Sequence, residues 1–241
     1  MKPIRKFLSV FVLMTLVAGC AELDQLAKNV QGSMPQANSL SKIIAGLKEA
    51  LSISTGNAVL DVSQVGGYFK NQAIRILMPE EIQKTGEMLR KFGFGKVVDD
   101  FEHSMNTAAE QAAPKAKAIF IDAITQMTFD DARRILNGPD TAATDYLRTK
   151  TSIAIAGLFR PIITDNMNKV GVTRLYKQMV EPLKMLPIAS PVPVDLDGYV
   201  TEKALHGLFT MVAEEEKKIR LNPAARVTDL LKDVFGNMRG K

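Results

Sequence analysis

The residues best suited to acid–base chemistry are His103, Asn106 and Glu110. On a helix these three positions fall on one side, so an imidazole, an amide and a carboxylate would face one pocket. A histidine oriented by a carboxylate is a general base, which gives a hydrolase or lyase hypothesis. No serine, cysteine or metal-ligand motif accompanies the trio, and Glu102 and Lys117 extend its polar stripe. A solvated or interhelical face is therefore favoured, with a buried hydrogen-bond network of Asn106 and Glu110 as an alternative.

Two other charged clusters have weaker claims to chemistry. Asp130, Asp131, Arg133 and Arg134 are neighbours on a short predicted helix. They form either a recognition patch or, as we favour, charges that complement the ends of that helix and pair with one another. The run from Glu214 to Lys218 has glutamates spaced to support lysines on a solvated helix face.

Asp195-Leu196-Asp197-Gly198 is similar to the opening of a calcium loop. That loop needs an oxygen ligand at its fifth place, glycine at its sixth and glutamate at its twelfth. Counting from Asp195, those places hold Tyr199, Val200 and His206, so the match fails. Asp197 is better explained as a turn residue or an N-cap. The sequence predicts no metal site and no cofactor.

The first twenty residues have the layout of an export signal. Lys2, Arg5 and Lys6 precede an apolar run from Phe7 to Val17, which is too short to span a membrane as a helix. Val17-Ala18-Gly19-Cys20 resembles the bacterial lipobox, in which the cysteine is lipidated after cleavage. The sequence therefore predicts a signal peptide over 1–19, a lipidated Cys20, and a tether over 20–38.

Composition indicates in which cell compartment the protein resides and which partners it is expected to bind. Loss of three positive signal-peptide residues lowers the formal net charge from +5 to +2, which argues against nucleic acid as a partner. Cys20 is the single cysteine, so the mature chain has no intrachain disulfide. Ala21 follows it in place of the aspartate that favours inner-membrane retention in lipoproteins. We therefore expect a lipid (palmitate) anchor in the outer membrane, facing the periplasm.

Hydrophobic periodicity predicts an all-α protein of about eight to ten helices. At most one very short strand pair is expected, near residues 73–78, where Ile74, Ile76 and Met78 alternate. The body, 39–241, is predicted to be one domain with a proline-rich connector at 182–193. The predicted helices cover 39–56, 57–65, 79–92, 97–124 with a kink or new start at Pro114, 129–136, 141–163 with an interruption near Pro161, 173–183, 196 to the charged run, and a last helix from Pro223.

Several blocks together resemble a known bacterial family. They are 47–51 (LKEAL), 105–110 (MNTAAE), 131–138 (DARRILNG), 142–146 (AATDY), 208–209 (LF) and 219–223 (IRLNP). The chain resembles the family catalogued as domain of unknown function 4197, over about residues 36 to 238. The resemblance implies an exported, predominantly helical domain without an assigned activity, and it brings no catalytic residues.

Three functions follow as hypotheses. The first is a non-enzymatic interaction or structural protein of the periplasm-facing outer membrane, with the membrane as one partner through Cys20 and an envelope protein as another. The second is a binding module for a lipid or other hydrophobic molecule, since alanine-rich helices and twelve methionines suit an adaptable apolar cavity. The third is a hydrolase or lyase that uses His103 and Glu110.

Overall fold

The computed structural model describes residues 19–169, 171, 174–175, 177, 195–222, 228–230 and 232, with side chains from residue 41 onward. These residues are predominantly helical and contain no strand, which confirms the all-α prediction. They form α1 (Gly19–Ser63), α2 (Glu80–Lys91), α3 (Gly95–Ala112), a 3-10 turn (Ala113–Lys115), α4 (Ala116–Thr125), α5 (Phe129–Asn137), α6 (Ala142–Lys169) and α7 (Leu196–Leu221). The count is below the predicted eight to ten, partly because the two helices expected over 39–65 are one.

The chain divides into two units, Met1–Gly46 and Leu47–Lys241. The described residues of the first unit are the initial part of α1, so the stretch expected to be a tether, 20–38, is helical. The predicted signal peptide, apart from Gly19, lies outside the described residues. So do the connector at 182–193, most of the helix expected over 173–183, and most of the last helix.

Helix α6 is the centre of the second unit, because it packs against α3, α4, α5 and α7. From Leu147 onward its buried residues recur at every fourth position, which aligns them in one stripe along the helix. They are Leu147, Thr151, Ile155, Phe159, Ile163 and Met167. Phe120 of α4 and Phe209 of α7 meet edge to face, with ring centroids 5.8 Å apart, an arrangement that aromatic quadrupoles favour.

Two prolines have different effects on their helices. Pro114 lies in the 3-10 turn that links α3 to α4, close to the predicted kink. Pro161 lies inside α6, which continues to Lys169, so the predicted interruption is wrong. A proline ring clashes with the backbone four residues earlier. In α6 that residue is Gly157, an exposed position.

The strand pair predicted near 73–78 is wrong, although its alternation is present. Ile74, Ile76 and Met78 are buried, and Leu77 is half-exposed. The segment between α1 and α2 consists of turns and extended residues, and its hydrogen-bond partner is a side chain of α3 rather than a second strand. Gly66, at φ +84°, lies in the turn that follows the end of α1, a backbone conformation that suits glycine.

Candidate functional site

Asn106 lies fully buried in α3 and holds the extended segment in place. Its Oδ1 accepts a hydrogen bond from the Ile76 backbone N–H at 2.8 Å, and its Nδ2 donates to the Ile76 carbonyl at 2.8 Å. The same Nδ2 donates to the Glu102 carbonyl, also at 2.8 Å. The amide therefore pairs with Ile76 as a neighbouring strand would. All three of these hydrogen bonds are made to backbone groups.

Glu110 is also buried, one helical turn further along α3. Its Oε1 accepts the backbone N–H groups of Tyr68 at 3.1 Å and Phe69 at 3.3 Å. The Tyr68 hydroxyl in turn donates to the Ala204 carbonyl of α7 at 2.7 Å. Burial, with the negative charge of Glu110 as a second cause, raises the pKa of Tyr68 far above its usual 10, so the hydroxyl stays protonated as a donor.

His103 is exposed and its surroundings differ from those of Glu110. Its Nδ1 lies 3.4 Å from the Thr107 hydroxyl, and its ring meets the Phe69 ring edge-on at 5.0 Å. Glu110 contacts backbone rather than the imidazole. The structure therefore does not bring His103 and Glu110 together as a base and its orienting carboxylate. The favoured interpretation was a solvated or interhelical face, and solvation is wrong for Glu102, Asn106 and Glu110, which are buried. Asn106 and Glu110 belong to a buried hydrogen-bond network, as in the alternative, but their partners lie in the segment between α1 and α2 and not on another helix.

Glu102, also buried in α3, forms ion pairs with two arginines outside that helix. Its Oε2 lies 3.0 Å from Arg75 Nη2 and 4.0 Å from Arg90 Nη2. The Arg75 guanidinium also lies over the Phe69 ring, with Cζ 4.2 Å from the centroid. Sequence reasoning missed Arg75 and Arg90, since nothing in their spacing links them to a glutamate on another helix.

The charged run of α7 contains a second buried carboxylate. Glu216 accepts the backbone N–H groups of Ala143 at 3.0 Å and Thr144 at 2.8 Å, in the first turn of α6. It also accepts the Thr144 hydroxyl at 2.8 Å and pairs with Arg220 at 2.9 Å. A carboxylate at a helix N-terminus meets unsatisfied donors and the positive end of the dipole.

Like Glu216, Glu215 departs from the solvated helix face predicted for the run from Glu214 to Lys218. It is buried and accepts a hydrogen bond from Asn57 Nδ2 at 3.0 Å. It also pairs with Lys218, one turn later in α7. The prediction of a solvated run is therefore wrong for Glu215 and Glu216, while Glu214, Lys217 and Lys218 are on the exposed side.

The cluster around Asp131 is a helix start, as favoured from the sequence. Thr128 is the N-cap of α5, and its hydroxyl accepts the Asp131 N–H at 3.2 Å. Two hydrogen bonds run from Thr128 to Asp131. The Asp131 Oδ2 accepts one from the Thr128 backbone N–H at 3.1 Å and one from the Thr128 hydroxyl at 2.7 Å. Arg134 donates to its Oδ1 at 2.6 Å. The hydroxyl and backbone bonds from Thr128, helped by Arg134, lower the pKa of Asp131 from 3.8 to about 2.

This shift gives a prediction for acid stability. A carboxyl whose pKa is lower when folded contributes stability above its unfolded pKa and loses it as the pH falls toward the folded value. We expect the Asp131 contribution, about 1 kcal/mol by the usual worth of a helix cap, to be intact above about pH 5 and to be lost between about pH 4 and pH 2. Urea unfolding at stepped pH should show a shallower acid loss in Asp131→Asn than in wild type. The exposed neighbour variant Asp130→Asn should retain the wild-type slope; equal slopes in all three proteins would contradict the assignment.

Asp195 and Asp197 both serve the start of α7. Asp195 is the N-cap and accepts the Gly198 N–H at 2.9 Å. Asp197 accepts the Thr164 hydroxyl of α6 at 2.7 Å. The N-cap role expected for Asp197 is therefore filled by Asp195. Across the described residues, no three His, Cys, Asp or Glu side chains lie close enough together to hold a metal ion.

An open groove of about 960 Å³ runs between α6 and the first turns of α7. Its α6 side extends from Ser152 to Asn168 at helical spacing, a rise of about 24 Å. Its α7 side runs from Gly198 to Leu205. This groove was not predicted at these positions, because the small residues that shape it occur within an ordinary helical pattern.

The groove has an apolar wall and internally paired polar groups. Ile153, Ala156, Pro161 and Leu205 provide much of the wall, and Gly157 leaves a gap in it. Two of the polar groups along its length are already engaged. Arg160 pairs with Asp195 at 2.9 Å, and Asp165 pairs with Lys169 at 2.6 Å. The groove therefore offers a carbon-lined surface in which few polar groups still need partners.

Cys20 lies in the first turn of α1, and its side chain is outside the described part. Among the helices that the structure describes, none combines the length and the apolar character needed to cross a bilayer.

Comparison with known proteins identifies a family and no function. The model of one family, described as Protein of unknown function (DUF4197), matches residues 37–236. No curated protein and no solved structure matches the chain. The buried carboxylates Glu110 and Glu216 and the amide Asn106 all lie within the matched range. The chain therefore belongs to the DUF4197 family of proteins of unknown function.

Proposed function

We propose that this protein is a non-enzymatic binding protein of the cell envelope, held by a lipid on Cys20 at the periplasm-facing side of the outer membrane. We further propose that the groove between α6 and α7 binds an apolar ligand, such as a lipid or another hydrophobic molecule. The groove carries this proposal, because its volume of about 960 Å³ and carbon-lined wall match the properties of small-molecule sites.

The arrangement of the buried polar residues supports a binding role over a hydrolase or lyase. Asn106 and Glu110 direct their hydrogen bonds to backbone groups, and His103 stands apart on the surface. A general base must reach a substrate proton within hydrogen-bond distance. Glu110 is buried, and its Oε1 already accepts hydrogen bonds from the backbone N–H groups of Tyr68 and Phe69, so it is not placed to take a proton from a substrate.

An envelope protein is the second candidate partner for the same surface. Ile153, at the edge of the groove, is 91% exposed. With Ala156, Pro161 and Leu205 it forms an apolar patch along the groove, and contiguous exposed apolar patches are typical of surfaces that a protein partner covers. A protein partner would place an apolar helix face along α6, where the groove is about 24 Å long.

Filling the gap at Gly157 tests the groove. A Cβ at Gly157 meets nothing within 4 Å, so leucine fits the helix and projects toward the groove space. We expect Gly157→Leu to weaken binding of a fluorescent apolar probe about tenfold, the usual cost of overpacking a site. Leucine has a better helix propensity than glycine, so the variant should unfold no more easily than wild type.

Gly56→Leu is the matched control, because Gly56 lies within α1 and also has open space at its Cβ. Wild type and Gly56→Leu should bind the probe with equal affinity, and Gly157→Leu alone should differ. Unchanged affinity in Gly157→Leu would remove the groove from the proposal.

The anchor is tested separately in cells. Lipid attachment needs the Cys20 sulfur, so Cys20→Ser should abolish incorporation of labelled palmitate and move the protein from the membrane fraction to the soluble fraction. Ala21→Ser, at the adjacent position, should leave both properties unchanged. Membrane association of Cys20→Ser at the wild-type level would contradict the lipid anchor.

A further inference from the structure

A second cleft, of about 450 Å³, lies on another face of α7. It is bounded by the extended segment before α2, the first turn of α2 and one side of α7. Its charged and hydroxyl-bearing residues are Arg75, Glu80, Glu81, Tyr199, Lys203 and His206. At about 100° per residue, the cleft positions of α7 are about a third of a turn away from those of the groove, so the two sites are separate.

Tyr199 forms a fixed wall of this cleft. Its hydroxyl donates to the Leu77 carbonyl at 3.0 Å, which holds the ring against the extended segment. Lys203 Nζ lies 5.5 Å from the ring centroid. Partial burial raises the pKa of Tyr199, and the negative charge of Glu81 raises it further.

Opposite charges line the cleft without neutralising each other. Among the residues that the structure describes, Glu80, Glu81 and Lys203 form no ion pair within 4 Å. Arg75 uses Nη2 for Glu102, but its Nε is buried and finds no hydrogen-bond partner in the same part of the chain. A guanidinium has five N–H donors, so Arg75 retains donors beyond the one given to Glu102.

We propose that this cleft binds a small zwitterion, with its ammonium group at Glu80 and Glu81 and its oxyanion at Lys203 and Arg75. A simple anion would meet the two glutamates, and a simple cation would meet the lysine, so each would gain at one end and lose at the other. A molecule that carries both charges has a favourable partner at each end. This inference is independent of the groove and of its apolar ligand.

The same chemistry has two sources in a cell envelope: a free amino acid or short peptide, and the phosphoethanolamine headgroup of a lipid. Both present a primary ammonium group and an oxyanion. Glycerophosphoethanolamine represents the headgroup, and dialanine represents the peptide. Ethanolamine and glycerol 3-phosphate carry one kind of charge each and serve as single-charge probes.

Isothermal titration calorimetry of the purified full chain with these four probes tests the proposal. We expect one or both zwitterions to bind and both single-charge probes to bind about tenfold more weakly or worse, since a charge-assisted contact is worth at least that factor. The tighter zwitterion identifies the source. Absence of zwitterion binding, or a single-charge probe that binds as tightly, overturns the proposal.

Variants at the two ends of the cleft give a second readout. Lys203→Gln and Glu81→Gln should each weaken zwitterion binding about tenfold. Lys217→Gln and Glu214→Gln make the same charge changes at exposed positions of α7 and should bind as wild type does. Thermal unfolding monitored by circular dichroism confirms that all four variants are folded. Wild-type affinity in both cleft variants overturns the assignment of the ends.

Discussion

Replacing Asn106 by alanine is expected to lower the free energy of unfolding by about 3 kcal/mol or more. The change leaves the Ile76 N–H and carbonyl buried without their partner, and each unsatisfied buried group costs about 1–3 kcal/mol. For a domain of this size that loss corresponds to a fall in Tm of roughly 6–12 °C. Urea unfolding and thermal melts of the purified protein measure both quantities.

Asn137→Ala is the matched control, because Asn137 is exposed at the end of α5 and bonds only within its own helix. Its cost should be within about 0.5 kcal/mol, as for ordinary surface substitutions. A comparable loss in both variants would show that Asn106 does not hold the extended segment.

Asn106→Asp separates the hydrogen-bond pattern from the loss of volume. A carboxylate accepts from the Ile76 N–H but cannot donate to the carbonyls of Ile76 and Glu102, whereas a protonated carboxyl can donate once. Burial should raise the pKa of the introduced group, so its stabilising form is present at low pH and lost as the pH rises. Relative to wild type, this variant should therefore be least stable above neutral pH.

Replacing Glu216 by alanine is the second large effect, with an expected loss of about 3–5 kcal/mol. The substitution removes the acceptor of two N–H groups in the first turn of α6 and the carboxylate that pairs with Arg220 at 2.9 Å. Breaking a buried ion pair from one side has a cost of this size. Glu214→Ala, two residues earlier on the exposed side of α7, should change stability by less than about 0.5 kcal/mol.

The double variant Glu216→Gln with Arg220→Leu tests the cause of that loss. Glutamine retains an oxygen for the N-terminus of α6, and leucine removes the guanidinium that pairs with Glu216, so the double variant should be more stable than Glu216→Ala. Equal stability of the two proteins in urea would contradict this account, because the double variant addresses both the missing acceptor and the broken ion pair.

Local signals explain which parts of the fold could be predicted. Helix α2 begins after Pro79 with two glutamates and ends at Gly93, whose φ of +87° suits glycine, and both signals lie within the helix's own sequence. The capping box of Thr128 and Asp131 is equally local. Such signals determine where a helix begins and ends, and the predicted ranges 79–92 and 129–136 agree with α2 and α5 to within one residue at each end.

The buried polar contacts could not be predicted, because their partners are distant in sequence. Asn106 bonds to Ile76, 30 residues away, and Glu216 bonds to Thr144, 72 residues away. On a helix, a polar stripe that faces solvent and one that faces the backbone of another segment have the same periodicity. The alternation at 74–78 likewise indicates one buried face but does not specify whether a strand or an amide supplies its hydrogen bonds.

The groove was missed for a related reason. Pro161 was interpreted as an interruption of its helix, yet α6 continues to Lys169, and Gly157, which carried no prediction, has open space at its Cβ position. Whether small residues permit close packing or leave a groove depends on which helix lies opposite, and sequence periodicity does not contain that information.

Native mass spectrometry tests the central claim, that the groove between α6 and α7 binds an apolar ligand, most directly. Residues 21–241 would be produced in the periplasm and measured as wild type, Gly157→Leu and Gly56→Leu. We predict an additional mass on wild type and Gly56→Leu that is lost on denaturation, and its absence or strong depletion in Gly157→Leu. A bare protein mass in all three, or the same bound mass in all three, would contradict the claim.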